Sequence, residues 1–381
     1  MNLESTIWFV GGAIMPSMLV AWLATFAARR LAPRWGLIDR PNERKVHLTP
    51  TPMGGGIGIA IGVLIPFLVG QVILIVAINS PAIGDLLPEF ARPHLTGLLN
   101  RSAGLWVLLG GATILMVVGL IDDRRGLDWR VRISIQFAVA AFCVVTQGWR
   151  LTAFIDLPRL SWIISMGLST IWIVALINSF NMLDNMDGLS AGVAGISSAL
   201  LATVMLISPD PITKQPQLFV AGFLLVLVGS LLGFLWHNRP PARIFMGDAG
   251  SYFIGFCIAV ATLLATYTGY ESKAPLAILA PLCVMAVPLY DMITVIWIRV
   301  RSGESPFHAD KNHFSHRLVE LGLTKTQAVL TVYLMTTTCG LGAVLLHRLD
   351  LLGAIVVISM ISCVLLLIAI LETSARRKLN E

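Results

Sequence analysis

The sequence predicts an all-α polytopic membrane protein with about eleven transmembrane helices, its amino terminus outside and its carboxyl terminus in the cytoplasm. Three observations carry this. The 381 residues are 56% hydrophobic and only 13% charged, with a mean hydropathy of +0.81, far above a soluble domain. Apolar windows of roughly 17–25 residues recur along the whole chain. Finally, that orientation puts twenty of the 27 Lys and Arg residues on the cytoplasmic connectors and tail, as the positive-inside rule requires.

The windows lie at about 4–28, 55–79, 102–121, 132–148, 161–177, 189–207, 217–236, 251–268, 275–298, 327–346 and 351–371. They are continuous rather than alternating, which excludes an outer-membrane barrel. Glu4 rather than a basic residue precedes the first, so it reads as a span and not as a cleavable signal. The whole chain, 1–381, reads as one integral membrane domain, with a small surface helix expected within 80–101. The five cysteines (Cys143, Cys257, Cys283, Cys339 and Cys363) fall singly in apolar runs, giving neither a disulfide framework nor a zinc site. The net charge of +6 orients the chain against anionic lipid and does not indicate nucleic acid.

Four polar joints stand out, all on the cytoplasmic side. The first reads NSFNMLDNMDG, from Asn178 to Gly188, and places Asn181, Asp184, Asn185 and Asp187 between two apolar runs. The second, after span three, carries the adjacent carboxylates Asp122 and Asp123 among four arginines. Such pairs hold a cation or act on protons, the alternative being a salt-bridged helix end. The third runs from His237 through Phe245-Met-Gly247-Asp248 into span eight. Gly and Asp there are capping chemistry, and they also offer backbone N–H groups to phosphate beside a carboxylate for a metal. The fourth, Ser305 to Leu318, holds three of the seven histidines, and His313 and His316 at i, i+3 share a helical face. It lacks a third ligand at zinc spacing, so phosphate binding suits it better.

The first cytoplasmic loop adds Lys45 and five arginines ahead of Gly54–Gly56, glycines read as helix-packing positions rather than a dinucleotide fingerprint. Asp291 is a carboxylate inside span nine, paired with Arg299 or lining the site.

Asp122, Asp123, Asp184, Asp187 and Asp248 would together cost about 12–17 kcal/mol at the bilayer centre, so they must line a wet cleft. Oxygen ligands beside phosphate-type donors suit Mg²⁺ or Mn²⁺. The implied reaction is phosphoryl transfer, with a lipid as one substrate.

GLIDD, NSFNMLDNMDG, RIFMGDAGS and SPFHADKNHFSHRL resemble the ordered signatures of the polyprenyl-phosphate N-acetylhexosamine-1-phosphate transferases, over about 39–323. The histidine loop resembles the WecA/TagO branch more than MraY, although Ser315 stands where that branch has His. The resemblance implies transfer of N-acetylglucosamine-1-phosphate from UDP-GlcNAc to undecaprenyl phosphate with release of UMP, in a bacterial cytoplasmic (inner) membrane. It implies Asp248 and Asp187 at Mg²⁺, and Asp122, Asp123, Asp184, Asp187 and His313 as catalytic. Lys45, Asn178, Asn181, Phe245, His316 and Arg317 would bind substrate. A homodimer remains open, as does UDP-MurNAc-pentapeptide or another UDP-N-acetylhexosamine as donor. An intramembrane prenyltransferase would leave the histidine loop without a role. A transporter would place its ionisable groups near the midplane.

Overall fold

The computed structural model describes residues 2–40, 49–89, 91–151, 158–208, 215–265, 267, 274–307, 310 and 312–380. In chain order they form α1 (Leu3–Leu31), β1 (Ile38–Asp39), β2 (Thr51–Pro52), α2 (Gly55–Asn79), α3 (Pro81–Gly84), α4 (Leu95–Arg125), α5 (Trp129–Gln147) and α6 (Pro158–Leu183). Then follow α7 (Leu189–Ile207), α8 (Leu218–Asn238), α9 (Gly247–Leu264), α10 (Ala280–Val284), α11 (Ala286–Arg301), α12 (Phe314–Glu320), α13 (Lys325–Leu346) and α14 (Leu351–Asn380). Among the described residues, ten helices are long and apolar enough to cross a membrane, or eleven when Leu276–Val284 and Ala286–Arg301, bent by 66° to one another, are counted as one span.

The spans fall where the hydropathy windows place them, with two differences. Most of the 80–101 stretch is not a separate surface helix. It holds the four-residue α3, turns and loop over 85–89 and at 91, a 3-10 turn at Arg92–His94 and, from Leu95, the start of α4. The ninth span is broken at Met285, whose φ and ψ are −90° and 9°. Pro288 explains the break: it has no N–H for the carbonyl four residues back, and its ring crowds that carbonyl. A two-stranded antiparallel ribbon, Ile38 opposite Pro52 and Asp39 opposite Thr51, is the one departure from an all-α chain among the described residues.

α9 is the axis of the bundle. Every residue from Ala249 to Thr262 is buried, against α4, α6 and α2. Close approach at its start depends on glycine: a Cβ on Gly119 of α4 would lie 2.4 Å from the Asp248 backbone. A Cβ on Gly56 of α2 would lie 2.2 Å from the Gly250 nitrogen. In contrast, α1 and α14 turn most of their apolar surface outward, as lipid-facing helices do.

Candidate active site

The four polar joints converge at one end of the bundle. The ribbon and α2 strap the turn before α9: the Phe245 N–H donates to Pro52 O (2.9 Å), and the Gly55 and Gly56 N–H groups donate to Phe245 O (2.9 Å) and Met246 O (3.0 Å). Gly247, at φ +72°, then redirects the chain into α9, a conformation L side chains rarely adopt. A Cβ there would also meet the Asp123 carboxylate at 2.4 Å.

Asp123 accepts from the backbone N–H groups of Asp248 (2.9 Å) and Ala249 (3.3 Å), so the end of α4 caps the start of α9. Its neighbour Asp122 is buried and accepts from Arg132 Nη1 (2.7 Å) and the Leu127 N–H (2.6 Å). Arg132, which carries no signal in the sequence beyond its place at a span start, lies 3.5 Å from Asp248 Oδ2 as well. Asp248 Oδ1 receives the Asn181 amide at 2.7 Å. That amide also reaches Ser251 Oγ at 3.0 Å, linking α6 to α9.

The joint between α6 and α7 supplies Asp184 and Asp187. Asp187 Oδ2 accepts from the Ala242 N–H (2.9 Å), while the Gly188 N–H donates to Asn238 Oδ1 (2.9 Å). Burial first, then the negative charge of Asp123, pushes the Asp184 carboxyl up to about 7, against a hydrogen bond from the Gly247 N–H. Among the described residues, none of Asp123, Asp184 and Asp187 has an ion-pair partner.

The histidine loop closes the other side. His313 precedes α12, with Nδ1 at 3.0 Å from Asp291 Oδ2, and the Phe314 N–H donates to Asp291 Oδ1 at 2.6 Å. A carboxylate on Nδ1 fixes that nitrogen as the donor and leaves Nε2 available to a substrate. His316 lies one turn on, its ring centroid 6.3 Å from that of His313. Asp310 is held by Arg299 through a two-pronged pair of 3.0 and 3.1 Å. Although burial opposes it, that pairing, with help from Asn312, lowers the Asp310 carboxyl to about 2.

Part of this set lines one cavity of about 530 Å³, within the range of small-molecule sites, while Asp122 and Arg132 are not in its lining. Asp123, Asp184, Asp187, Asp248, Phe245, His313 and His316 all face it. So do Asn185, Asn238 and Asp310, which lie within three of the joints, and Asp39 and Lys325, for which the sequence suggests no role. Asp39 comes in with the β-ribbon and Lys325 with the start of α13, neither of which is visible as a polar joint.

Asp122, Asn178, Asn181, Asp291 and Arg317, all expected at the site, are outside the cavity lining. Asn178 is not in the cavity lining: its amide joins Gln136 Oε1 (2.7 Å) and Val174 O (2.8 Å), tying α6 to α5. Arg317 is buried and turned away, donating to Glu372 (3.0 Å), Asn312 O (2.5 Å) and Thr294 (3.0 Å). With its donors committed to the protein, it does not reach the cavity. Asp291 pairs with His313 rather than with Arg299. Lys45 lies outside the described residues. Asn181 supports the site through Asp248 and is not itself in the lining.

Among the described residues, no three His, Cys, Asp or Glu side chains close into a metal-ligand cluster. The chemistry of the lining nonetheless fits a hard cation. Among the described residues three of its carboxylates have no ion-pair partner, and the Asp184 carboxyl is raised first by burial and then by the charge of Asp123. All the acidic donors are oxygens, the ligand type of Mg²⁺ and Mn²⁺.

The profile of glycosyl transferase family 4 matches residues 105–266, which contain the Asp122–Asp123, Asn178–Gly188 and Phe245–Ser251 joints. The chain is 30% identical over 339 residues to a probable undecaprenyl-phosphate N-acetylglucosaminyl 1-phosphate transferase of Bacillus subtilis, covering 88% of this chain and 84% of the relative. It is 32% identical to the decaprenyl-phosphate N-acetylglucosaminephosphotransferase of Mycobacterium tuberculosis, covering 86% and 80%. It is also 29% identical to the undecaprenyl-phosphate alpha-N-acetylglucosaminyl 1-phosphate transferase of Escherichia coli K12, covering 83% and 78%. On these grounds the chain belongs to glycosyl transferase family 4, the family of these polyprenyl-phosphate N-acetylglucosamine-1-phosphate transferases.

Proposed function

We propose that this protein transfers N-acetylglucosamine-1-phosphate from UDP-GlcNAc to undecaprenyl phosphate, releasing UMP and forming a lipid-linked sugar diphosphate. The observation that carries the reading is the meeting of Asp123, Asp184, Asp187 and Asp248 with His313 and His316 in one cavity of a multi-pass membrane protein. The names of the relatives supply the sugar and the acceptor class.

The chemistry is displacement at phosphorus. An oxygen of the lipid phosphate attacks the phosphorus bearing the sugar, the bond to the UMP oxygen breaks, and UMP leaves with that electron pair. The second pKa of a phosphate monoester is near 6, so at neutral pH the acceptor is largely dianionic and needs little help from a base. Catalysis is then mostly positioning and charge neutralisation. Asp122 and Asp123 are committed to Arg132 and to the α9 amides, which suits orienting residues better than a covalent nucleophile. His313 Nε2 and His316 hold the diphosphate, and Phe245 stacks on uracil. Asp248, Asp187 and Asp184 would hold Mg²⁺, which when bound offsets the charge of the diphosphate.

The cavity faces the cytoplasm in this reading, because the connectors at that end carry the basic excess. The membrane is the bacterial cytoplasmic membrane, where nucleotide sugars and polyprenyl phosphates meet.

The test is purified protein in detergent with labelled UDP-GlcNAc, Mg²⁺ and either undecaprenyl or decaprenyl phosphate. Label passing to the lipid with an equal yield of UMP is the expected result, and the two acceptors compare lipid preference. No labelled lipid with UDP-GlcNAc, but product with UDP-MurNAc-pentapeptide, would replace the donor.

A further inference from the structure

The last helix carries one buried carboxylate, Glu372, against the helix that presents His316. Of residues 351–373, only Ala354 and Glu372 are buried; the rest of that stretch of α14 is partly or fully exposed. A carboxylate buried at the end of a lipid-facing helix is costly unless it is paired. Glu372 Oε2 accepts from Arg317 Nε (3.0 Å) and from Tyr290 Oη (3.0 Å). Arg317 belongs to α12, where its N–H donates to His313 O (3.0 Å), and His316 is its neighbour in sequence. It also donates to Thr294 Oγ1 on α11 and to Asn312 O, in the same small helix-and-loop assembly. Tyr290 packs edge-on against Phe314, with ring centroids 5.6 Å apart. His313 therefore caps, and His316 sits on, a seven-residue helix too short to hold its own geometry. It is anchored on one side by Asp291 and on the other by Glu372.

We propose that Glu372 is a positioning residue for the donor diphosphate, so that the last span completes the histidine side of the site from outside the cavity. Glu372 touches no substrate. It fixes Arg317, Arg317 fixes the turn of α12, and that turn sets where His313 and His316 present their rings. The inference rests on the proposed role of those histidines, and it adds that α14 is part of the catalytic apparatus rather than a membrane anchor alone.

The test compares Glu372→Ala, Glu372→Gln, His313→Ala and the Glu372→Ala/His313→Ala double variant in the full-length purified protein, with Asp248→Asn as reference. Glu372→Ala is expected to raise KM for UDP-GlcNAc about tenfold, leave KM for undecaprenyl phosphate within about twofold, and keep a cooperative unfolding transition. Glu372→Gln keeps an acceptor for Arg317 and Tyr290 and is expected to recover most of the donor KM. In the double variant the two losses should not multiply, because Glu372 acts through the histidine. If Glu372→Ala does not fold, Glu372→Gln carries the test alone, with a two- to threefold rise confined to the donor KM as the supporting result. Equal changes in both KM values, an unchanged donor KM, or multiplicative losses would each overturn the inference. If His313→Ala and Asp248→Asn both turn over normally, the assignment of the cavity itself has failed, a different outcome from an inert Glu372.

Discussion

Asp123 Oδ1 lies 2.9 Å from the backbone nitrogen of Asp248, so one acidic joint caps the helix that carries the other. Two carboxylates would ordinarily repel at this range. The start of a helix separates them electrostatically, since its free N–H groups and dipole favour a negative cap. Removing the cap should therefore act twice. Asp123→Ala is expected to lower stability by about 0.5–2 kcal/mol, the usual loss for a helix cap. It should also cut turnover by more than that loss explains, because Asp248 shifts with the start of α9. Thermal unfolding and UMP release on the same preparation check both effects. Normal turnover in a destabilised variant would reduce Asp123 to a structural cap.

Asp248→Asn keeps size and shape but removes the charge beside Arg132 and Asn181. Mg²⁺-dependent UMP release should fall by about 10²–10³ or more, on the scale of a lost electrostatic contact to the transition state. Unfolding should hardly move. Retained turnover would take the metal role away from this residue.

Asp291 controls which His313 nitrogen carries the proton. In Asp291→Asn the Nδ1 partner becomes an amide, and the imidazole can adopt the other tautomer or turn. A drop in turnover of about 10–100-fold is expected, the range seen when a group orienting a ligand is removed. His313→Ala should lose at least as much. If Asp291→Asn were harmless while His313→Ala was not, the 3.0 Å contact would matter only for packing.

The four joints were legible because carboxylates are expensive in hydrocarbon, so Asp122, Asp123, Asp184, Asp187 and Asp248 announce a wet surface in an apolar chain. What completes the site was not. Arg132 reads as the basic flank of a span, and Asp39 reads as part of a basic loop until the ribbon with Thr51–Pro52 carries it to the cavity. Glu372 reads as the polar end of a last span. The same blindness made Asn178 and Arg317 look like cavity residues. Both sit in polar motifs, but a motif does not say which way a helical side chain points, and one helical turn separates Asn178 on Gln136 from Asn181 on Asp248. The break at Met285 was hidden in a continuous apolar run, where Pro281 and Pro288 were the local cues.

The Asp184 carboxyl, raised to about 7 by burial and then by Asp123, makes cation binding a proton exchange. Below that pH the metal-free site holds a proton that a cation must displace. Mg²⁺ affinity is therefore expected to rise with pH, by up to about tenfold per unit below 7, and to level off above it. The matching effect on stability has the opposite sense. The metal-free fold is favoured at pH below the ordinary carboxylate range, and that contribution is lost as pH rises through about 7. Calorimetric titration with Mg²⁺ at several pH values checks the slope, and Asp184→Asn should flatten it. Equal affinity at pH 5.5 and 7.5 in the unaltered protein would rule the exchange out.

Asn178 and Asn181 should separate stability from function within a single helix. Asn178→Ala leaves Gln136, fully buried on α5, without the donor that now reaches its Oε1 at 2.7 Å. An orphaned buried acceptor costs about 1–3 kcal/mol, so unfolding should occur at lower temperature while KM for UDP-GlcNAc stays put. Asn181→Ala instead frees Asp248 Oδ1 at the edge of the cavity, where water or a cation can replace the lost amide. Its stability should change little and its turnover should fall. Thermal scans and initial rates on the two variants decide the matter. A raised donor KM in Asn178→Ala would return that residue to the substrate site, and a silent Asn181→Ala would remove its partner from it.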